Sequence, residues 1–203
     1  MLSLMVDLTS KRCVVVGAGQ IALRKVKDLL IEKAEITVIS PDACKEIKAL
    51  EELGEIKLIQ RKFKDEDAIN AFLIIVATND SEENRRIASN LPFSTLVNVA
   101  SDVNAGNCHI PSYFKKGKLH LSVSTNGASP KLAKLIKEEW RSKYDENYME
   151  YIDFLYNVRA HLKQCDCSVE DKNRILEEIL ENQYIESANL RSKYYEKLLK
   201  NLK

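Results

Sequence analysis

The sequence VVVGAGQIALRK, residues 14–25, decides the fold of the first part of the chain. A run of valines leads into the motif GxGxxA, and a helical pattern of apolar residues follows it directly. The first glycine allows a tight turn, the second lets the backbone approach a pyrophosphate, and Ala22 lets the helix pack closely against the strand. A turn with a purely structural role is the alternative. We predict a dinucleotide site that includes the turn and the free N–H groups of the helix N-terminus, from Gly17, Gly19, Gln20 and Ile21.

Further contacts to a dinucleotide are expected where later strands end, because ligands bind at the carboxyl ends of parallel strands. The adenosine ribose should meet the end of the second strand, about 20 residues after the glycines. That place is occupied by Ser40, Pro41 and Asp42, and it has no arginine to pair with a 2′-phosphate. This favours NAD over NADP. The nicotinamide half of the cleft is expected to be lined by Ala77, Thr78, Asn79, Asn98 and Val99.

Strand-like and helical patterns alternate through the first hundred residues. Strands that are apolar on both faces and are separated by helices indicate a parallel sheet covered on both sides. We therefore predict an α/β fold with a Rossmann-like parallel sheet. The predicted strands are 13–16, 36–39, 56–59, 72–77 and 95–99, and the predicted helices are 21–31, 44–53 and 82–90.

The pattern changes after Asn98. Two short strands are predicted at 108–114 and 118–124, joined by a turn at 115–117. The rest of the chain contains no glycine after Gly127 and is helical in character. Four helices are predicted there, at 129–144, 146–164, 169–182 and 185–202. The first residues, MLSLMVDLTSKR, alternate as an edge strand does and lack the pattern of a signal peptide.

Composition narrows the class of protein. Among 203 residues, 45% are hydrophobic and 30% are charged, and the net charge is +1, so the bulk charge does not indicate a nucleic-acid partner. No apolar run reaches the ~18 to 20 residues that span a bilayer, so we expect no membrane partner and a cytoplasmic protein. Five cysteines without a CxxC pair fit reduced thiols. Cys165 and Cys167 are read as part of a loop and not as a metal site, since His161 is the one further ligand nearby.

Five stretches match a known family: VVVGAGQIALRK, ITVISPD, VATND, VNVASDVNAGNCHIP and KKGKLHLSVSTNGASPKLAKLIKEEW. On these residues the chain resembles the precorrin-2 dehydrogenase and ferrochelatase family, which also forms the N-terminal module of siroheme synthase. The resemblance runs from the first strand to about Trp140. The last stretch is the most specific, because a hairpin followed by STNGASP and a helix is not a general feature of Rossmann domains.

The resemblance implies an NAD-binding domain at 1–108, a dimerisation region at 109–142 and a helical C-terminal domain at 143–203, in a homodimer. The implied substrate is precorrin-2, a reduced tetrapyrrole rich in carboxylates. The implied reaction removes a hydride and a proton, giving sirohydrochlorin and NADH. Some members also insert iron, so iron is expected only as a possible substrate, and no resident metal site is predicted.

The resemblance also points to a proton acceptor. The family has an aspartate directly after the residues that match Asn98 to Ala100, and this chain has Ser101 there, followed by Asp102. A serine without an activating base accepts protons poorly, so we assign the role to Asp102 and keep Ser101 as a catalytic candidate. Capping of the loop is the alternative for Asp102. His109 is a third candidate, for proton transfer or contact with iron, and a partly buried histidine bonded to backbone is its alternative.

The carboxylates of a tetrapyrrole need cationic or N–H partners. Two basic residues lie one turn into the first helix, and the turn after the hairpin offers hydroxyl and amide donors. The predicted substrate contacts are Arg24, Lys25, Ser124, Thr125, Asn126 and Gly127.

Two other functions fit parts of the pattern. One is a non-redox chelatase or carrier for tetrapyrroles, and the other is a regulatory module that senses NAD or NADH. NADH production separates the enzyme from the carrier, and tetrapyrrole binding separates the carrier from the sensor.

Overall fold

The structure is a computed structural model that describes residues 2–92 and 94–202. It divides after Ile110 into two compact units. The first unit holds the parallel sheet, and the second holds a hairpin and the remaining helices. The predicted division into three parts, at 1–108, 109–142 and 143–203, stays a prediction.

The first unit has a five-stranded parallel sheet in the order β3-β2-β1-β4-β5. This strand order with intervening helices confirms the predicted Rossmann-like α/β fold. In chain order the elements are β1 (Arg12–Val16), α1 (Gln20–Ile31), β2 (Glu35–Ile39), α2 (Lys45–Glu52), β3 (Lys57–Ile59), a short 3₁₀ helix (Asp65–Ala68), β4 (Leu73–Val76), α3 (Ser81–Asn90) and β5 (Leu96–Val99).

Both faces of the sheet are buried, which explains its continuous apolar strands. Alternate residues of β1 and β4 belong to different core clusters. Val15 and Ile75 pack with the α1 side chains, whereas Val14 and Ile74 pack with Ile87 of α3. The helices therefore cover opposite faces.

The register brings the carboxyl ends of four strands to one level. Val16 is paired with Ile39 and with Val76, and Val76 is paired with Val99. The turns that follow β1, β2, β4 and β5 consequently meet at one edge of the sheet, and that edge holds the candidate site.

The second unit begins with a two-stranded antiparallel sheet and continues as helices. Aromatic side chains dominate its helical core, in which Phe154 stacks on Tyr184 with ring centroids 5.9 Å apart. Its elements are β6 (Ser112–Lys116), β7 (Leu119–Val123), α4 (Pro130–Lys143), α5 (Glu146–Gln164), α6 (Val169–Glu178), α7 (Asn182–Glu186) and α8 (Ala188–Asn201).

No helix within residues 2–92 and 94–202 has the length and the apolar character needed to cross a bilayer.

The predicted N-terminal edge strand is wrong for residues 2–8, which have no regular structure. The chain enters β1 through a turn in which the Lys11 N–H donates to the Leu8 carbonyl at 2.9 Å. Since β1 is the central strand and both its edges are paired, a segment directly before it finds no free edge beside it. Leu2, Leu4 and Met5 are accordingly exposed.

The predicted hairpin is correct in kind and wrong in its bounds. Its first strand begins at Ser112 and not at Cys108, because the N–H of Cys108 donates to the Val97 carbonyl at 3.1 Å and keeps that segment against β5. The turn consists of Gly117 and Lys118, since Lys116 is paired with Leu119. Gly117 adopts a positive φ of 53°, which favours glycine in a two-residue turn.

The last part of the chain forms more helices than predicted. The predicted helix 169–182 ends at Glu178, and the predicted helix 185–202 is divided between α7 and α8. Ser187 makes that division, because its hydroxyl caps α8 by accepting the Leu190 N–H at 3.3 Å.

Arg191 holds three helices of the second unit together. Its side chain is 5% exposed, and its guanidinium donates to the Tyr184 and Ile185 carbonyls, to the Asn147 side chain and to Glu150, at 2.9–3.1 Å.

We predict that Arg191→Met lowers the free energy of unfolding by about 2 to 4 kcal/mol, because the substitution leaves backbone acceptors without their donor. Urea denaturation measures the change. Arg159→Met, at an exposed position of α5, is the matched control and should stay within about 0.5 kcal/mol of the wild type. Equal stability of the two variants would contradict the role of Arg191.

Candidate functional site

A cleft of about 620 Å³ opens at the carboxyl edge of the parallel sheet. Its walls come from the turn after β1, the segments after β2 and β3, and the segment that joins β4 to α3. The lining residues are Val16, Gly17, Ala18, Gly19, Ile39, Ser40, Pro41, Asp42, Ala43, Cys44, Lys62, Phe63, Ala77, Thr78, Asn79, Asp80, Glu83 and Ile87.

The packing and backbone conformation of the protein require a glycine at position 17, whether or not a ligand is bound. Its φ is +103°, and its N–H donates to the Ile39 carbonyl at 2.9 Å. A Cβ at this position would lie 2.4 Å from the Ala77 carbonyl oxygen. The turn after β1 therefore lies directly against the end of β4, with no room for a side chain.

Gly19 has a different environment. Its φ of −86° is open to any residue, and a Cβ there would meet nothing within 4 Å. Nothing in the protein itself explains a glycine here, whereas the approach of a ligand does. Gly19 precedes α1, whose first turn carries no acidic residue, so the free N–H groups and the helix dipole favour an anion. These features fit the pyrophosphate of a dinucleotide. The other predicted contacts from α1, Gln20 and Ile21, are exposed at its start.

The end of β2 places Ser40, Pro41 and Asp42 in the cleft wall. The Ser40 hydroxyl donates to the Asp42 carbonyl at 2.7 Å, which fixes the turn and leaves the Asp42 carboxylate exposed. Lys62 and Phe63, after β3, also line the cleft, and sequence reasoning missed them. Nothing in their local pattern separates them from an ordinary loop, because only the strand order brings them beside β2.

The end of β4 contributes Ala77, Thr78 and Asn79 to the cleft wall, and their contact with the nicotinamide half stays a prediction. Asp80 follows and caps α3, because its carboxylate accepts the N–H groups of Glu82 and Glu83 at 3.0 and 3.1 Å.

Asn98 and Val99 do not line this cleft. Asn98 is 7% exposed, and its side chain donates to the Cys108 carbonyl at 3.1 Å, whereas Val99 is buried in the core. The Asn98 side chain thereby holds the segment after β5 in place.

Ser101 and Asp102 lie at the same edge, since the Ala100 N–H continues the pairing of β5 with Val76 at 2.9 Å. The exposed Ser101 hydroxyl accepts from Asn84 at 3.3 Å. Asp102 accepts the Asn104 N–H at 2.9 Å and Nε of Arg85 at 3.1 Å.

These two hydrogen bonds, that of the Asn104 N–H first and that of Arg85 second, lower the pKa of the Asp102 carboxyl below its ordinary range. The carboxylate also caps its own loop through the Asn104 N–H, and loop capping is the alternative to a catalytic role. It is available to a ligand only in part, because one of its oxygens faces Arg85.

The other candidates lie apart from the cleft wall. His109 is half-buried, and its Nε2 is 2.5 Å from the Val103 carbonyl oxygen, so its ring is bonded to backbone. Arg24 is exposed on α1, and Lys25 beside it is half-buried. Burial lowers the pKa of Lys25, and the charge of Asp28 opposes that effect.

The predicted contacts Ser124, Thr125, Asn126 and Gly127 belong to the second unit. They form a tight turn before α4. The Ser124 hydroxyl accepts the Asn126 N–H at 3.1 Å, and the Thr125 hydroxyl accepts the Ser129 N–H at 3.0 Å. Asn126 and Gly127 have positive φ values of 48° and 84°.

Among the described residues, no three His, Cys, Asp or Glu side chains are grouped to hold a metal ion. The Cys165 thiol lies 3.3 Å from Nε2 of His161, and both groups face the Leu202 carbonyl.

Three family models match separate parts of the chain. A putative NAD(P)-binding family matches residues 4–112, the central region of sirohaem biosynthesis proteins matches 116–140, and the SirC C-terminal domain matches 148–194.

The chain is 41% identical to the precorrin-2 dehydrogenase of Priestia megaterium over 91% of both chains. It is 40% identical to the precorrin-2 dehydrogenase of Bacillus subtilis (strain 168), over 78% of this chain and 98% of that one. A solved structure of SirC, precorrin-2 dehydrogenase, is 39% identical, with a TM-score of 0.85 over 98% of this chain and 100% of the other.

The two glycines of the turn should respond differently to alanine. Gly17→Ala should lower the free energy of unfolding by about 1 to 3 kcal/mol, because its Cβ meets the Ala77 carbonyl. Gly19→Ala should keep the stability within about 1 kcal/mol and weaken NAD(P) binding by at least roughly tenfold, because its Cβ occupies the place of the pyrophosphate.

Thermal denaturation and calorimetric titration with NAD measure the two effects. Wild-type affinity in Gly19→Ala would contradict the placement of the pyrophosphate.

Proposed function

This chain belongs to the precorrin-2 dehydrogenase family, and we propose that it oxidises precorrin-2 to sirohydrochlorin with NAD as hydride acceptor. The observation that carries the proposal is Gly19, whose open surroundings at the start of α1 are explained by a dinucleotide and not by the protein's own packing. The chain is an NAD(P)-binding oxidoreductase of sirohaem biosynthesis.

Each part of the cofactor is assigned to the segment that follows a different strand. The backbone of the turn at Gly17 and Gly19 holds the pyrophosphate, Ser40 to Asp42 face the adenosine ribose, and Ala77 to Asn79 face the nicotinamide half. When bound, the nicotinamide supplies the hydride acceptor. The protein's own contribution is to orient the cofactor at the edge beside Ser101 and Asp102.

The charge of the cleft supports NAD over NADP. Its lining has one cation, Lys62, and three carboxylates, Asp42, Asp80 and Glu83. The Asp42 carboxylate lies at the end of β2, where the ribose is expected, and it would repel a 2′-phosphate.

We assign the proton acceptor to Asp102, with Ser101 beside it. The oxidation releases a hydride to NAD and a proton to this carboxylate or to water. Hydrogen bonds from the Asn104 N–H and from Arg85 stabilise the ionised carboxylate and lower the pKa of Asp102 below its ordinary range. His109 stays a candidate for proton transfer.

The remaining proposals rest on family resemblance. Arg24, Lys25 and the turn Ser124–Gly127 are proposed to bind substrate carboxylates. A homodimer and iron as a substrate for insertion are proposed on the same ground. A cytoplasmic location is proposed because the five cysteines are free thiols.

The function is tested by anaerobic incubation of the purified protein with precorrin-2 and either NAD or NADP. We expect NADH to form in step with sirohydrochlorin, with a higher kcat/KM for NAD than for NADP. Asp102→Asn should lower kcat by roughly 10²-fold or more, as the loss of a general base does. Asp166→Asn, at an exposed loop position, should match the wild type.

Binding of both ligands without NADH would overturn the redox function. Full activity of Asp102→Asn would remove the assignment of the base and leave the function intact.

The pH dependence of kcat/KM should follow the ionisation of Asp102, whose pKa is lowered first by the Asn104 N–H and second by Arg85. Because Arg85 helps to lower the pKa of Asp102, kcat/KM should fall only at acidic pH, as the carboxylate becomes protonated. Arg85→Gln removes this charge, raises the pKa of Asp102 and should move the acid limb of the pH–rate profile to higher pH. Arg86→Gln, whose partner is Glu83, should leave the limb in place. An unchanged limb in Arg85→Gln would exclude Asp102 as its source.

A further inference from the structure

Asn84 of α3 is a buried polar residue that joins Thr78 in the cleft wall to Ser101 in the loop after β5. It is 1% exposed and does not line the cleft. Its side-chain oxygen accepts the Thr78 N–H at 3.3 Å and the Thr78 hydroxyl at 2.5 Å. Its side-chain nitrogen donates to the Thr78 carbonyl at 3.1 Å and to the Ser101 hydroxyl at 3.3 Å. All the hydrogen-bonding positions of this amide are therefore used.

The backbone fixes which way round the Asn84 amide lies. The Thr78 N–H can only donate, and the Thr78 carbonyl can only accept. The amide oxygen must therefore face the Thr78 N–H, and the NH₂ group must face the Thr78 carbonyl. The second hydrogen of the NH₂ group is consequently directed at Ser101.

This orientation decides what Ser101 can do. Since its oxygen accepts a hydrogen bond from Asn84, its own O–H hydrogen must lie in another direction. The Ser101 side chain is exposed, so that hydrogen is available to a ligand at the carboxyl edge of the sheet. The next residue of α3 contacts the next residue of the loop, because Arg85 donates a hydrogen bond to Asp102.

We propose that Asn84 is a positioning residue that makes Ser101 a hydrogen-bond donor to the substrate, in which an anionic oxygen such as a carboxylate is the acceptor. Ser101 then binds and orients the tetrapyrrole, and Asp102 beside it remains the proton acceptor. The inference rests on the proposed function and adds a division of roles within it. It gives α3 a part in substrate binding through Asn84, next to Arg85, which contacts the proton acceptor Asp102.

The test is a double-mutant cycle of Asn84→Asp and Ser101→Ala. In Asn84→Asp the oxygen that receives the Thr78 N–H remains, but the nitrogen that donates to the Thr78 carbonyl and to Ser101 becomes an oxygen, so the hydrogen bond to the Thr78 carbonyl is lost as well. The Ser101 hydroxyl then donates to the new carboxylate and is lost to the substrate. We measure kcat/KM for precorrin-2, and NAD affinity by titration, in both single variants and the double variant. Asn90→Asp, the same change at the exposed end of α3, is the matched control.

Each single variant should lower kcat/KM for precorrin-2 by about tenfold, the effect of losing a hydrogen bond to a charged group. The double variant should be no worse than Asn84→Asp alone, because both changes remove the same donor. NAD affinity of Ser101→Ala should stay within about twofold of the wild type, and Asn90→Asp should match the wild type in both measurements.

Two results would overturn the inference. One is wild-type kcat/KM in Ser101→Ala, a substitution at an exposed position that leaves the protein folded even where Asn84→Asp does not. The other is multiplication of the two losses in the double variant, which indicates that Asn84 acts through Thr78 and not through Ser101. An inactive wild type refutes the proposed function instead, so the two failures are distinguishable.

Discussion

The contact between Gly17 and the Ala77 carbonyl is the constraint from which the site follows. A Cβ at Gly17 would lie 2.4 Å from that oxygen. The turn after β1 therefore needs a residue without a side chain where it packs against the end of β4. Because β1 and β4 are neighbours at the centre of the sheet, this turn sets where α1 begins. Helix α1 thereby begins directly after Gly19, which lies in the wall of the cleft that the ends of β2 and β4 enclose.

Polar side chains around this edge divide between holding the backbone and meeting a ligand. Asn98, Asp80 and Ser40 hold loops and a helix start. Helix α3 belongs to both groups: its buried face packs on the sheet through Ile87, while Asn84 and Arg85 reach the loop after β5. The cofactor cleft, Ser101 and Asp102 are therefore held by the strands and helices of the first unit.

Sequence predicts the sheet well because its strands are apolar on both faces and alternate with helices, a pattern set by local burial. The motif and the strand order also lead to Gly17, Gly19 and the segment after β4, which the structure places in the cleft wall. Sequence patterns do not reveal contacts between residues that are far apart in the chain. Lys62 and Asn84 reach the site through neighbours distant in the sequence, and the apolar alternation of residues 2–8 suggests a strand for which the paired edges of β1 leave no place. The later start of β6 follows from Val97.

The central claim is that the carboxyl edge of the parallel sheet binds the dinucleotide through the turn after β1. Amide hydrogen exchange with and without NAD tests this claim directly, because a bound pyrophosphate occupies the N–H groups at the start of α1. The account predicts that NAD slows exchange at residues 17–23 and 77–80. Unchanged exchange at residues 17–23, with slowing confined to other parts of the chain, would contradict it.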